Sequence, residues 1–350
     1  MQLNLMKRAA IGSVIFSIAA MAIILYLSAG KVIVISDVAQ DEMQGHMSYL
    51  QKEGQSMEQV LSFASGEADT SYLRIPLPQE CKAENIVIEN HYMNQELCII
   101  IDGVDSEFYE DNVISGNRDG IIQGSYEKVK DGIKLKFMLT DIFEYRTILE
   151  NNDLYISFLS PREMYDKIVV IDPACGGSNN GYAREGLKEK EINLQIAQKL
   201  KEKLDKTDIK AYYTRMDDVN PSESDRVKLA NGTRADMYIR IQMDADDDPA
   251  IYGTTAVYNG DYFIPSFGSV ELADLLEREV VTSIKGKALG LDEAGQQEYV
   301  IRHVTIPAAA VRAGHVTNKQ EAILLGREDY QDKIASGIYN AIMKAYEDAE

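Results

Sequence analysis

Residues 167–194 read K-I-V-V-I-D-P-A-C-G-G-S-N-N-G-Y-A-R-E-G-L-K-E-K-E-I-N-L, and this order leaves few folds open. Ile168, Val169, Val170 and Ile171 form an uninterrupted apolar run, the pattern of a buried strand. The run ends at Asp172-Pro173, and a glycine-punctuated loop follows. Glu189 then stands at the start of an amphipathic helix whose apolar face carries Ile192, Ile196, Ala197 and Leu200. Cys175 and Glu189 are therefore expected at the carboxyl end of a strand and the entry of a helix, where open α/β sheets place their chemistry. The alternation continues with a strand over 209–213, a helix opened by Pro221-Ser222 and a buried strand over 237–241. A further strand over 254–258, a helix lined by Leu272, Leu275, Leu276 and Val280, and a short strand over 308–311 follow. Ile334, Ile338, Ile342 and Ala345 mark a terminal amphipathic helix. Residues 165–350 are thus expected to form an α/β domain, a mostly parallel sheet with helices on both faces.

Upstream the period changes to two. Leu73, Ile75 and Leu77 alternate with polar residues, as do Ile133, Leu135, Phe137 and Leu139, and later Leu154, Ile156 and Phe158. Residues 86–88 and 97–101 are further strand candidates. Asp102-Gly103, Asn117-Arg118-Asp119-Gly120, Asp131-Gly132 and Asn151-Asn152-Asp153 supply the turns. Short, regularly spaced strands predict a small β-sandwich over 71–160, a binding or spacing module with no catalytic constellation. His91 stands alone there and reads as a surface or internally satisfied histidine.

Residues 1–30 differ in kind. Lys7 and Arg8 precede an uncharged apolar run over 9–30, long enough for a membrane helix of ~20 residues and longer than the ~7–15 of a signal-peptide core. A single-pass anchor is expected, with the bulk of the chain extracytoplasmic; Ser28-Ala29-Gly30 leaves cleavage open as the lesser reading. Residues 31–70 are polar and acidic and read as a spacer. The net charge of -20 excludes duplex nucleic acid as a partner. Three cysteines allow at most one disulfide.

Several short motifs in the α/β region occur in one order: Val170-Ile171-Asp172-Pro173 with Gly176-Gly177, then Glu189-Lys190-Glu191-Ile192-Asn193-Leu194. Thr214-Arg215, Arg226-Val227 with Ala230-Asn231, Ala235-Asp236 and Gly253-Thr254 come next, and the run 307–311 with Gly314 and Asn318 completes the set. In this order they resemble the zinc-dependent N-acetylmuramoyl-L-alanine amidases, bacterial cell-wall hydrolases. The resemblance implies an amidase-like α/β fold and hydrolysis of the amide joining the lactyl group of N-acetylmuramic acid to L-alanine. It also implies one zinc held by His, Glu and His, with an open position for water, and a second Glu as general base. The β module is similar in architecture and position to β-sandwich domains that precede amidase domains and bind peptidoglycan.

Carried over by position, the zinc ligands fall on Cys175, Glu189 and Gln242, and the catalytic Glu falls on Arg312. Glu189 alone is retained. Cys is a competent zinc ligand as thiolate. Gln242 offers a neutral amide oxygen, and the guanidinium of Arg312 cannot act as a base and repels a dication. These replacements predict a pseudo-amidase without bound zinc that binds peptidoglycan or a cell-envelope protein. An amidase working through an atypical zinc site and a purely structural envelope module are the alternatives. Arg312 is expected to enter the vacated metal position and pair with Glu189; the alternative has both side chains turned to solvent. A Cys175–Glu189–His315 site, or Cys175 as a nucleophile with a histidine base, are further arrangements of the right chemistry. Asp244, Asp246, Asp247 and Asp248 read as a solvated acidic loop before they read as a cation site.

Overall fold

The structure is a computed structural model that describes residues 59–64, 71–105, 107–184, 186–262 and 264–349. The chain divides after Leu159 into two compact units. The expected anchor lies outside the described residues, as does nearly all of the expected spacer. Among the described residues no helix is long and apolar enough to cross a membrane.

The first unit holds β1 (Gln59–Val60), β2 (Leu73–Pro76), β3 (Ile86–His91), β4 (Glu96–Asp102), α1 (Phe108–Asp111) and β5 (Ser115–Gly116), followed by β6 (Ile121–Val129), β7 (Gly132–Leu139), β8 (Glu144–Glu150) and β9 (Asp153–Leu159). Two antiparallel sheets form, ordered β1-β6-β7-β4-β3 and β5-β2-β9-β8. The alternating residues of β2, β4, β7 and β9 meet in one core that includes Ile75, Leu97, Ile99, Leu135, Phe137 and Ile156. Two assignments change. Gln59 and Val60 pair with Tyr126 and Ser125, and Leu61 is buried in this core, so this stretch of the expected spacer belongs to the module. His91 is not alone: it lies across from Glu96, with Glu89 across from Cys98 two residues along on the same face. Antiparallel pairing makes neighbours of residues whose offsets in sequence give no hint of it.

The second unit begins with α2 (Pro161–Met164). It continues with β10 (Ile168–Pro173), β11 (Ala183–Arg184), β12 (Leu187–Lys188), α3 (Glu189–Leu204), β13 (Lys210–Tyr213), α4 (Glu223–Gly232), β14 (Met237–Asp244) and β15 (Thr254–Tyr258). The remaining elements are α5 (Ser269–Ile284), β16 (Ala288–Glu293), α6 (Tyr299–His303), β17 (Ala308–His315), α7 (Lys319–Leu325) and α8 (Glu328–Ala349). The main sheet has the order β13-β10-β14-β17-β15-β16. It is mixed: β13, β10, β14 and β17 pair in parallel, whereas β15 runs antiparallel to β17 and parallel to β16.

Strand alternation sorts the sheet into two chemically different faces. Val169, Ile171, Ile239, Ile241, Ala309 and Val311 join Ile196, Leu276 and Ile338 of α3, α5 and α8 in one apolar core. On the opposite face, toward α4 and α6, the same strands present Asp172, Arg240, Gln242 and Arg312. The polar face converges at the carboxyl ends of β10, β14 and β17.

Packing of α5 on α8 needs a glycine. A Cβ on Gly337 would lie 2.5 Å from Val280 Cα and 2.9 Å from Glu279 O. Helix propensity alone favours Ala over Gly by about 1 kcal/mol, but here the added methyl meets backbone, and overpacking costs about 1–3 kcal/mol. Gly337→Ala is therefore expected to lower the urea midpoint, and an unchanged or raised midpoint contradicts this packing.

Candidate functional site at the carboxyl edge of the sheet

Asp172 ends β10 fully buried and organises everything near it. Its Oδ1 accepts from Arg226 of α4 and from Thr214 Oγ1 at 2.5 Å. Its Oδ2 accepts from Tyr238 and Arg240 of β14. Burial pushes this carboxyl up, but the Arg240 and Arg226 guanidiniums outweigh it and hold it well below its ordinary value of 3.8. Thr214-Arg215, Arg226 and Asp172-Pro173, separate motifs in the sequence, are one hydrogen-bonded unit in space. Arg215 extends it: its guanidinium donates to Pro173 O at 2.9 Å, Ala174 O at 3.0 Å and Lys190 O at 2.9 Å.

The loop after β10 is held from both sides. Lys190 Nζ donates to Gly177 O and to Asp218 Oδ2, each at 2.7 Å, and Gly177 N donates to Asp218 Oδ1 at 2.8 Å. Cys175 takes a left-handed backbone, φ 65°, uncommon for a residue with a Cβ. Burial first, and the Glu189 carboxylate second, push its thiol up to about 11 against the pull of Arg240 and Arg215. A thiol in that state is a poor nucleophile at neutral pH. Gly181 fills the corner between Cys175 and Glu189, where a Cβ would lie 2.8 Å from Cys175 Sγ and 2.3 Å from Glu189 Oε2.

Glu189 is buried at the first turn of α3, where a carboxylate suits the helix dipole. Its Oε2 accepts from Tyr182 N at 3.0 Å and its Oε1 from Met243 N at 3.0 Å. Gln242 of β14 and Arg312 of β17 are register partners, so both reach the same space beyond Asp172. Gln242 Oε1 is buried without a hydrogen-bond donor.

The expected Glu189–Arg312 pair does not form. Arg312 donates to Glu298 Oε1 at 2.6 Å and has Asp244 Oδ2 at 3.6 Å. Two nearer carboxylates take the guanidinium, and backbone N–H groups already occupy both oxygens of Glu189. The alternative in which both turn to solvent fails as well. His315 faces Asp244 at 3.8 Å and Glu321 at 3.6 Å, and His303 stacks on Tyr299, so neither histidine is set beside Cys175. In the acidic loop Asp246 and Asp248 accept from Asp248 N and Ala250 N, as turn-forming aspartates do. Sequence reasoning missed Glu298, which belongs to no motif and enters the site on the loop between β16 and α6. It also missed Tyr182, whose phenol is raised by burial and by Asp244 and Glu189, with Arg312 opposing.

These side chains do not fit a zinc ion. Among the described residues no third His, Cys, Asp or Glu converges with Cys175 and Glu189. Gln242 contributes a neutral oxygen, and a guanidinium occupies the neighbouring strand position.

With this geometry in hand, comparison with known proteins is decisive on ancestry. The family model described as N-acetylmuramoyl-L-alanine amidase matches residues 169–344, just over half of the chain. The chain belongs to the N-acetylmuramoyl-L-alanine amidase family. It is similar to the germination-specific N-acetylmuramoyl-L-alanine amidase of Bacillus subtilis, 29% identical over 60% of this chain and 90% of that protein. It is also similar to the uncharacterized protein YqiI of Bacillus subtilis, 31% identical over 52% of this chain and 85% of that protein. Among solved structures, an N-acetylmuramoyl-L-alanine amidase from Clostridium difficile 630 is 32% identical, covering 52% of this chain and 97% of that one with a TM-score of 0.49.

The buried Asp172 unit yields a test of this edge of the amidase domain. Asp172→Asn leaves two guanidiniums without their carboxylate, which costs about 3–5 kcal/mol, measured by chemical denaturation at neutral pH. Because the folded Asp172 titrates below its ordinary 3.8, its contribution is complete above that value and is lost as pH falls through the folded one. The gap between wild type and variant should hold from neutral pH to about pH 4 and narrow in stronger acid. A gap that widens on acidification contradicts the assignment.

Proposed function

We propose that this chain is a membrane-anchored, extracytoplasmic cell-wall protein whose amidase domain binds peptidoglycan and has lost hydrolysis. The observation that carries this reading is Arg312. In the family, a carboxylate at this position takes a proton and faces a metal; here a permanent cation sits on β17, tied to Glu298 and Asp244. Loss of a general base costs ~10²–10⁴-fold in rate, and a donor set of thiol, amide and one carboxylate adds no strong claim on zinc. Family membership supports peptidoglycan as the ligand class. The apolar run over 9–30 after Lys7 and Arg8 supports the anchor and its orientation. Binding to an envelope protein instead of the wall is the second reading, and the same experiment separates it.

Purified chain incubated with cell-wall sacculi is expected to cosediment with them and to cause no loss of turbidity. Hydrolysis with one zinc per chain overturns the reading; absence of cosedimentation transfers it to a protein partner. The combined Cys175→His, Gln242→His and Arg312→Glu variant restores the family's donor set, but its new carboxylate stands beside Glu298 and Asp244. That variant is expected to melt below the wild type without metal and to gain more thermal stability than the wild type does on addition of zinc. A folded variant whose response to zinc is no larger than the wild type's counts against the positional assignment of the site.

A further inference from the structure

The face of the β3–β4 hairpin that points away from the module's core collects metal-binding chemistry. Its inner positions, Ile86, Ile88, Leu97, Ile99 and Ile101, lie in the apolar core. The alternate positions are Glu89 and His91 on β3, and Glu96 and Cys98 on β4. Cross-strand register sets His91 opposite Glu96 and Glu89 opposite Cys98, so all four side chains emerge from one patch. Cys98 and Glu89 are nevertheless buried, whereas His91 and Glu96 keep partial exposure.

We propose that His91, Glu96 and Cys98 form a binding site for a zinc-class transition-metal ion, with Glu89 orienting the imidazole. The three residues each offer a ligand atom, and these atoms lie within 4.8 Å of one another. Cys98 Sγ is 3.1 Å from Glu96 Oε1, and His91 Nδ1 is 3.5 Å from the same oxygen. Thiolate, imidazole and carboxylate are the donor types that zinc takes, and a sulfur ligand beside an imidazole disfavours calcium and magnesium. The other ring nitrogen, Nε2, lies 3.3 Å from Glu89 Oε2. That is the carboxylate–histidine arrangement which fixes the tautomer leaving the metal-facing nitrogen free. Lys136 approaches the second oxygen of Glu96, Nζ to Oε2 at 3.9 Å, and leaves Oε1 to the ion. Three protein donors leave a fourth tetrahedral position for water or a ligand from outside. The site lies in the β module and stands or falls independently of the amidase reading.

Without metal, an imidazolium held between Glu89 and Glu96 would satisfy the same carboxylates, and zinc would then have no effect. The test titrates the full chain, reduced and in detergent, with zinc by calorimetry, and with cobalt(II) to read thiolate-to-metal charge transfer. One zinc per chain is expected. His91→Gln and Cys98→Ser should each weaken binding at least ~10-fold, and Glu89→Gln about 10–100-fold. The cobalt charge-transfer band should disappear in Cys98→Ser and persist in Cys175→Ser. Circular dichroism checks that each variant is folded; if Cys98→Ser is not, retention of the band in Cys175→Ser with its loss in Glu96→Gln carries the assignment. No zinc uptake by the wild type, or uptake abolished by Cys175→Ser and untouched by His91→Gln, overturns it.

Discussion

The α/β domain depends on one buried anion. Asp172 has no water to solvate it, so its charge is met by Arg226 from α4 and Arg240 from β14, with Thr214 and Tyr238 completing its lone pairs. The four partners come from α4, from β14 and from the residue that follows β13. Satisfying this carboxylate therefore fixes the depth of α4, the register of β14 on β10 and the exit of β13 in one stroke. Arg215 then uses carbonyls rather than carboxylates to pin the loop, which keeps a third buried cation from competing for Asp172. An unmet group at such a place would be far more costly than the net gain of a met one.

Beyond that unit the carboxyl edge of the sheet is organised by local ion pairs. Arg312 reaches the sheet's edge through ordinary strand alternation. Its partners, Glu298 and Asp244, arrive from a loop and from the end of β14. The result is a set of local ion pairs near a carboxylate, Glu189, that is fully engaged with backbone. Nothing in this arrangement presents a free base, and the thiol of Cys175 is kept neutral by burial.

Legibility in the sequence followed the kind of signal each element carries. β10 and β15 read directly, because a run such as Ile168 to Ile171 is buried on both faces. β16 was missed: Ala288–Glu293 is half-exposed at the sheet edge and has no continuous apolar run. β17 extends past the expected end through Arg312 to His315, whose polar side chains look like a loop until their strand partners are known. β6 carries Gly124, which reads as a break; in the fold it makes room for Phe63, which a Cβ there would approach to 2.7 Å. Positions 175, 189, 242 and 312, which only the family resemblance marks, all come to one edge. Their partners were not found. The choice of Glu298 over Glu189 for Arg312, and the gathering of Glu89, Glu96 and Cys98 around His91, are set by pairing across strands and loops, which no local pattern encodes.

The bonding of Glu189 changes what its survival means. Tyr182 N and Met243 N close a bridge through this one side chain from the loop entering α3 to the end of β14. The family resemblance marks Glu189 as a ligand position, which by itself gives the residue a role in chemistry alone. Here it also serves the fold, since a side chain without a carboxylate's two acceptors would leave Met243 N or Tyr182 N without its partner. A glutamate at this position is therefore no measure of metal binding by itself, because the fold uses the same side chain as a strut.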